Sequence, residues 1–205
     1  MEPRFEHVSP KDVLDGEVYE RVRPLYRDLV ARLRQERRVR LGEAAVILFE
    51  NRETVLWQVH EVLRCEGRSA GIERVLADYA PILPAPGELR ATVMIDGATP
   101  DLARTIAHAL AVEGGLDLRC GGLSCASSIT APPCHAEDPV WYLRWRPRPM
   151  WLERLSDRDV PLWIRPAWSI SAVLVPTATR RQLCGDLAGD RGSVLEVERA
   201  AGVLR

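Results

Sequence analysis

Lysine is almost missing from this chain of 205 residues: among its 28 basic residues only Lys11 is a lysine. Chemistry that depends on a lysine, such as a P-loop or a Schiff base, therefore has no residue to use elsewhere in the chain. An excess of charge of either sign is missing as well. The 28 basic residues stand against 29 acidic ones, so there is no global electrostatic footprint for nucleic acid or an anionic membrane. No stretch approaches the roughly 18 apolar residues of a membrane helix, and Met1-Glu2-Pro3-Arg4 begins no apolar signal core. The cytoplasm is the expected compartment. The five cysteines are an odd number, and Cys65 and Cys184 fall in segments that read as helix interior, so a secreted disulfide framework fits poorly.

What is present is an ordinary globular balance, 46% hydrophobic and 28% charged residues, which predicts a real core in one domain over residues 1–205. Ser9-Pro10-Lys11-Asp12 has the form of a helix start. A long helix is expected from there to Arg37, packing on the rest or projecting as an arm, with Pro24 kinking or dividing it. Residues 43–49 read as a buried strand, 53–66 and 70–79 as helices, 89–96 as a strand and 99–112 as a helix capped by Thr99. Strands are expected at 116–120, 140–146 and 170–175, and a last helix from Thr177 to Leu187. This order predicts an α+β fold with a mixed or antiparallel sheet packed with helices.

The helix over 53–66 carries the most information. Projected at 100° per residue, Val55, Leu56, Val59, Val62 and Leu63 form an apolar stripe that docks on the core. Glu53, Trp57, His60 and Arg64 occupy a face where solvent is the default. Thr54, Gln58, Glu61 and Cys65 form a row beside the stripe. That row either lines a site, with Glu61 as general base or hard metal ligand, or holds the fold together through a polar network. Glu50, at the strand's end, is carried toward the same crevice by the turn at Asn51-Arg52. The candidate catalytic set is Glu50, Gln58 and Glu61, with His60 as a further member.

Phe49-Glu50-Asn51-Arg52-Glu53-Thr54, then Gln58, Glu61, Leu63-Arg64 and Glu66, resemble the signature of the DUF3501 family of bacterial proteins, F-E-N-R-x-T-x-x-x-Q-x-x-E-x-L-R-x-E. Arg37-Arg38-Val39-Arg40-Leu41-Gly42 resembles that family's basic turn, and Tyr79-Ala-Pro-Ile-Leu-Pro84 with Arg90-Ala-Thr-Val-Met-Ile95 resembles its following loop and second strand. Where the family pattern has His-Pro-x-Tyr, this chain has Arg165-Pro166-Ala167-Trp168. The resemblance implies a redox or metal context, with rubrerythrin-like or iron–sulfur proteins as partners, and assigns no reaction.

Two other segments hold candidates. Cys120, Cys125, Cys134 and His135 form C-x4-C-x8-C-H, four soft or borderline ligands within sixteen residues, which either hold zinc or iron or are unrelated thiols in a loop. Gly122-Leu-Ser-Cys-Ala126 echoes a nucleophile elbow, but the absence of a following helix argues against a serine hydrolase. In Trp141-Tyr-Leu-Arg-Trp-Arg-Pro-Arg148 a period of two sends Trp141, Leu143 and Trp145 to one face and Tyr142, Arg144, Arg146 and Arg148 to the other. Arg144 and Arg146 are candidate anion contacts, or else charges guarding an edge strand. Aromatic and basic groups on opposite faces argue against single-stranded nucleic acid. Two functions follow: a metal-dependent or redox-pathway enzyme or accessory protein with its site on the 50–66 unit, or a noncatalytic binding or adaptor protein using the Arg/Trp-rich surface over 141–151.

Overall fold

Two caps a few residues apart start the helical part of the chain in the computed structural model, which describes residues 8–67, 71–131 and 139–189. Ser9 and Asp12 cap a short 3-10 turn, the Ser9 backbone N–H and hydroxyl donating to Asp12 Oδ2 at 2.7 and 2.8 Å. The long helix α1, Gly16–Arg37, starts later under its own cap, Asp15, which accepts from the Glu17 backbone N–H at 3.0 Å. It continues through Pro24 as one helix, where a kink or division is the sequence expectation.

Strand β1 (Arg38–Leu41) follows at once and turns at Gly42, with φ of +69°, into β2 (Ala45–Glu50). The basic turn read from the sequence is therefore a strand in which Val39 and Leu41 point inward and the arginines outward. Helices α2 (Arg52–Glu66) and α3 (Ile72–Tyr79) come next, then β3 (Leu89–Ile95) and α4 (Pro100–Leu110). The cysteine-bearing segment is ordered into the hairpin β4 (Leu116–Cys120) and β5 (Leu123–Ala126), followed by β6 (Ser128–Ala131). The described part of the chain closes with β7 (Val140–Trp145), α5 (Met150–Ser156), β8 (Leu162–Pro166), β9 (Val173–Leu174) and α6 (Thr177–Ala188).

The fold is α+β, and its strands form two antiparallel sheets rather than one. The larger has the order β1-β2-β3-β7-β6 and the smaller β5-β4-β8-β9. Strand β7 therefore lies inside its sheet, between β3 and β6, and its arginines guard no edge. One hydrophobic cluster takes side chains from both sheets, including Ile47, Val93 and Trp145 from the larger and Leu118, Cys120 and Ile164 from the smaller. The Trp145 indole N–H reaches across to the Leu116 carbonyl at 2.9 Å. Trp141, Trp145 and Trp151 are all buried, so the Arg/Trp-rich segment presents none of its tryptophans to a partner.

Candidate functional site

Helix α2 is clamped between the core and α1, which runs antiparallel to it. Val55, Leu56, Val59 and Leu63 are buried as the periodicity predicts, while Val62, the fifth residue of the stripe, is half-buried. The face expected to meet solvent is buried too, at Glu53, Trp57 and His60, while Arg64 remains exposed. The cause is α1: Tyr26 meets Trp57 edge-on with ring centres 5.1 Å apart, and Tyr19 stacks on His60 at 4.6 Å. Such aromatic pairs add stabilisation beyond the area they bury. Burial pushes the Glu53 carboxyl above its ordinary range, and its Oε1 has no hydrogen-bond partner.

The structure does not bring Glu50, Gln58 and Glu61 onto one shared set of partners. Glu50 turns into the protein, where its two carboxylate oxygens accept from the hydroxyls of Thr54 and Thr92 at 2.5 and 2.6 Å. Thr54 is itself held by a reciprocal cap, its backbone N–H donating to Asn51 Oδ1 and its hydroxyl oxygen accepting from the Asn51 N–H, both at 3.0 Å. Glu61 points to α1 instead. It accepts from the Tyr19 hydroxyl at 2.6 Å and from Arg23 Nε and Nη2 at 2.8 and 2.7 Å. The Arg23 guanidinium outweighs burial and, with the Tyr19 hydroxyl, holds the Glu61 carboxyl down to about 2. A carboxylate so placed is a poor proton acceptor at neutral pH. Gln58 is half-buried and belongs to neither set.

His60 has both ring nitrogens engaged. Nε2 accepts from the Leu14 backbone N–H at 2.9 Å, and Nδ1 lies 2.8 Å from the Leu56 carbonyl, an acceptor only, so Nδ1 carries the hydrogen. Neither nitrogen is left for a metal. Cys120 and Cys125 share the buried face of the β4-β5 hairpin two rungs apart, with Cys125 opposite Leu118 and Cys120 opposite Leu123. That diagonal spacing is about 7–8 Å, beyond the reach of a disulfide, and burial pushes both thiols up. Cys134 and His135 lie outside the described residues. Among the described residues no group of three His, Cys, Asp or Glu side chains is placed to hold a metal ion.

The candidate anion contacts of β7 are also engaged. Arg146 Nε donates to Glu88 Oε1 at 2.5 Å, and Arg90 grips Glu88 Oε2 from Nε and Nη2 at 3.1 and 3.0 Å. Burial alone raises the Glu88 carboxyl, but the two guanidiniums prevail and hold it below its usual range. Arg144 reaches the Ser128 hydroxyl at 3.3 Å.

An open cleft of about 420 Å³ lies elsewhere, on the outer side of the smaller sheet, where β4 and β8 meet the loop after β8. Period-two alternation puts Leu116, Leu118 and Cys120 inside and sends Asp117 and Arg119 out. Arg165 is the direct cross-strand neighbour of Asp117. The nearest ion pair across the cleft wall, Arg119 to Asp117, is long at 3.8 Å, and Arg165 makes no ion pair among the described residues. Trp168 forms an indole wall packed on the core, and Ser169 adds a hydroxyl. Gly114 also lines the cleft, with φ of +81°, a backbone conformation that favours glycine. Sequence reading missed this cleft because β8 had no periodic signal and Arg165 had no visible neighbour. The available clue was the alternation of Asp117 and Arg119 on a strand already expected.

The family model described as a protein of unknown function, DUF3501, matches residues 7–187. The chain belongs to the DUF3501 family. Its fold is similar to the 1.90 Å crystal structure of a novel protein of unknown function from Burkholderia pseudomallei K96243, with a TM-score of 0.74, 26% identity, and coverage of 88% of this chain and 98% of that one. No curated protein matches the chain. In this DUF3501 member the Arg165-Pro166-Ala167-Trp168 segment, which replaces the His-Pro-x-Tyr implied by the resemblance, forms one wall of the cleft.

Proposed function

We propose that this DUF3501 protein is a noncatalytic binding protein whose ligand, a small carboxylate, sits in the cleft of the smaller sheet. The observation that carries this reading is the Arg165 guanidinium, which faces the cleft without an acidic partner of its own. A guanidinium in that position offers a planar pair of donors that matches a carboxylate, and the Trp168 indole supplies an apolar wall of the kind small-molecule sites use. Binding is favoured over turnover by the chemistry of the lining. It contains Asp117, two guanidiniums and a serine hydroxyl but no histidine or cysteine, and Ser169 bonds locally, accepting from the Ser171 N–H at 3.1 Å. Metal-dependent turnover at the 50–66 unit draws no support from the geometry, because Glu50, Glu61 and His60 have their polar atoms matched within the fold.

Calorimetry with acetate, succinate and glutamate tests the reading. At least one of them is expected to bind saturably, with Arg165→Ala weakening it about tenfold, the size of one charge-assisted hydrogen bond, and Arg165→Lys recovering only part of the loss. Equal affinity for Arg165→Ala and the parent protein overturns the assignment.

A further inference from the structure

A second opening, a groove of about 300 Å³, lies along the C-terminal half of α1 next to Arg38 of β1, away from the pocket beside His60 that the start of α1 lines. Its walls are Arg27, Arg34 and Arg38, its floor is Val30 and the edge of Trp57, and Gln35 adds an amide. Ala31, the residue one turn after Arg27, carries no long side chain and so leaves the trough open between the arginines. No carboxylate lines it.

The charges of this groove differ from those elsewhere in the protein. Buried or half-buried guanidiniums usually meet an acid here: Arg37 meets Asp186, Arg23 meets Glu61 and Arg90 meets Glu88. Arg34 meets none among the described residues, and its Nε–H is sealed from solvent without a hydrogen-bond acceptor. Arg38 is exposed and likewise unmatched, while Arg27 has only a surface pair with its neighbour Asp28 at 3.1 Å. A surface pair of that kind is weak and yields readily to a stronger anion.

We infer that this groove binds a phosphate monoester with a flat apolar body. Arg34, in the last turn of α1, and Arg38, the first residue of β1, both line the groove at the α1–β1 junction, where two guanidiniums can share one phosphate group. A phosphate monoester carries nearly two negative charges and three acceptor oxygens, enough to satisfy both forks, whereas a carboxylate satisfies one. Arg27 lies about two turns further back, roughly 10 Å away, and adds long-range attraction. Between these ends the small part of the otherwise buried Trp57 that lines the groove and the bare stretch at Ala31 receive the apolar body.

The inference is independent of the carboxylate cleft, and the test separates them. Calorimetry on the full chain compares inorganic phosphate, phenyl phosphate and benzoate, with Arg34→Gln, Arg38→Gln and Arg165→Ala as variants. Neither Arg34 nor Arg38 bonds to another described side chain, so both variants are expected to fold, with melting temperatures close to the parent's as the check. Phenyl phosphate is expected to bind about tenfold more tightly than inorganic phosphate, one factor of ten in affinity, and more tightly than benzoate. Arg34→Gln and Arg38→Gln each weaken it about tenfold, raised salt weakens it further, and Arg165→Ala leaves it unchanged. Absence of saturable phenyl phosphate binding overturns the inference. So does binding that survives both glutamine variants, or binding lost with Arg165→Ala, which would move the phosphate to the cleft and leave the carboxylate reading to be judged by its own experiment.

Discussion

Arg37, the last residue of α1, is buried and makes a two-pronged pair with Asp186 of α6, Nη1 and Nη2 each donating at 2.7 Å across 149 residues of chain. The same guanidinium reaches Gln182, whose amide donates to Glu36 at 2.6 Å. The pair fastens the last described helix to the first long one.

Removing one partner should cost far more than removing both. Asp186→Ala leaves a buried guanidinium without its counter-charge and is expected to destabilise the fold by about 3–5 kcal/mol. The double variant Arg37→Met, Asp186→Leu should recover much of that loss. Urea denaturation of the three proteins reads the difference, and a double variant no more stable than Asp186→Ala would contradict a buried ion pair here.

Acid should loosen the α1–α2 contact before neutral pH affects it. The Glu61 carboxyl is held down to about 2 from its ordinary 4.5 by Arg23 foremost. Its value in the folded state is lower than in the unfolded state, so its contribution is complete above about pH 4.5 and lost as pH falls toward 2. Stability of the parent is expected to fall through that window more steeply than that of Glu61→Gln, whose amide does not titrate. Thermal melts at half-unit pH steps, from neutral down to 2, would expose parallel profiles if the pairing did nothing.

Thr54 serves both the helix cap and Glu50. Thr54→Val keeps the shape, removes the hydroxyl, and leaves Glu50 with Thr92 alone. A loss of about 2–3 kcal/mol is expected from the missing cap and the unmatched buried acceptor. Thr54→Ser should stay within about 1 kcal/mol of the parent. Chemical denaturation that ranked the serine and valine variants equal would show that the hydroxyl is not what matters.

The cysteines should separate by accessibility. Cys65 is exposed, Cys184 is half-buried beside the Ser156 hydroxyl at 3.2 Å, and Cys120 and Cys125 are buried with thiols pushed up. Iodoacetamide followed by peptide mass mapping is expected to label Cys65 first and Cys184 next, with Cys120 and Cys125 reacting only after unfolding. Fast labelling of Cys120 in the native protein would place the β4-β5 hairpin outside the core.

The sequence by itself determined the elements whose signal is local. The apolar stripe of α2, the Thr99 cap of α4 and the inward alternation of Trp141, Leu143 and Trp145 all follow from periodicities of 3.6 and 2 within one short segment. The α+β class followed from their order, and the family signature lay within one strand-turn-helix unit, Phe49 to Glu66. Only the tertiary structure decided what covers what. Trp57 and His60 are buried because α1, more than thirty residues earlier in the chain, lies across them. Glu50 and Glu61 part company because Thr92 on β3 claims one and Arg23 on α1 the other. Arg165 stands opposite Asp117 in the strand register, without an ion pair between them, because strands some fifty residues apart pair. A side chain's partner across the fold depends on how elements dock, and local periodicity carries no record of that.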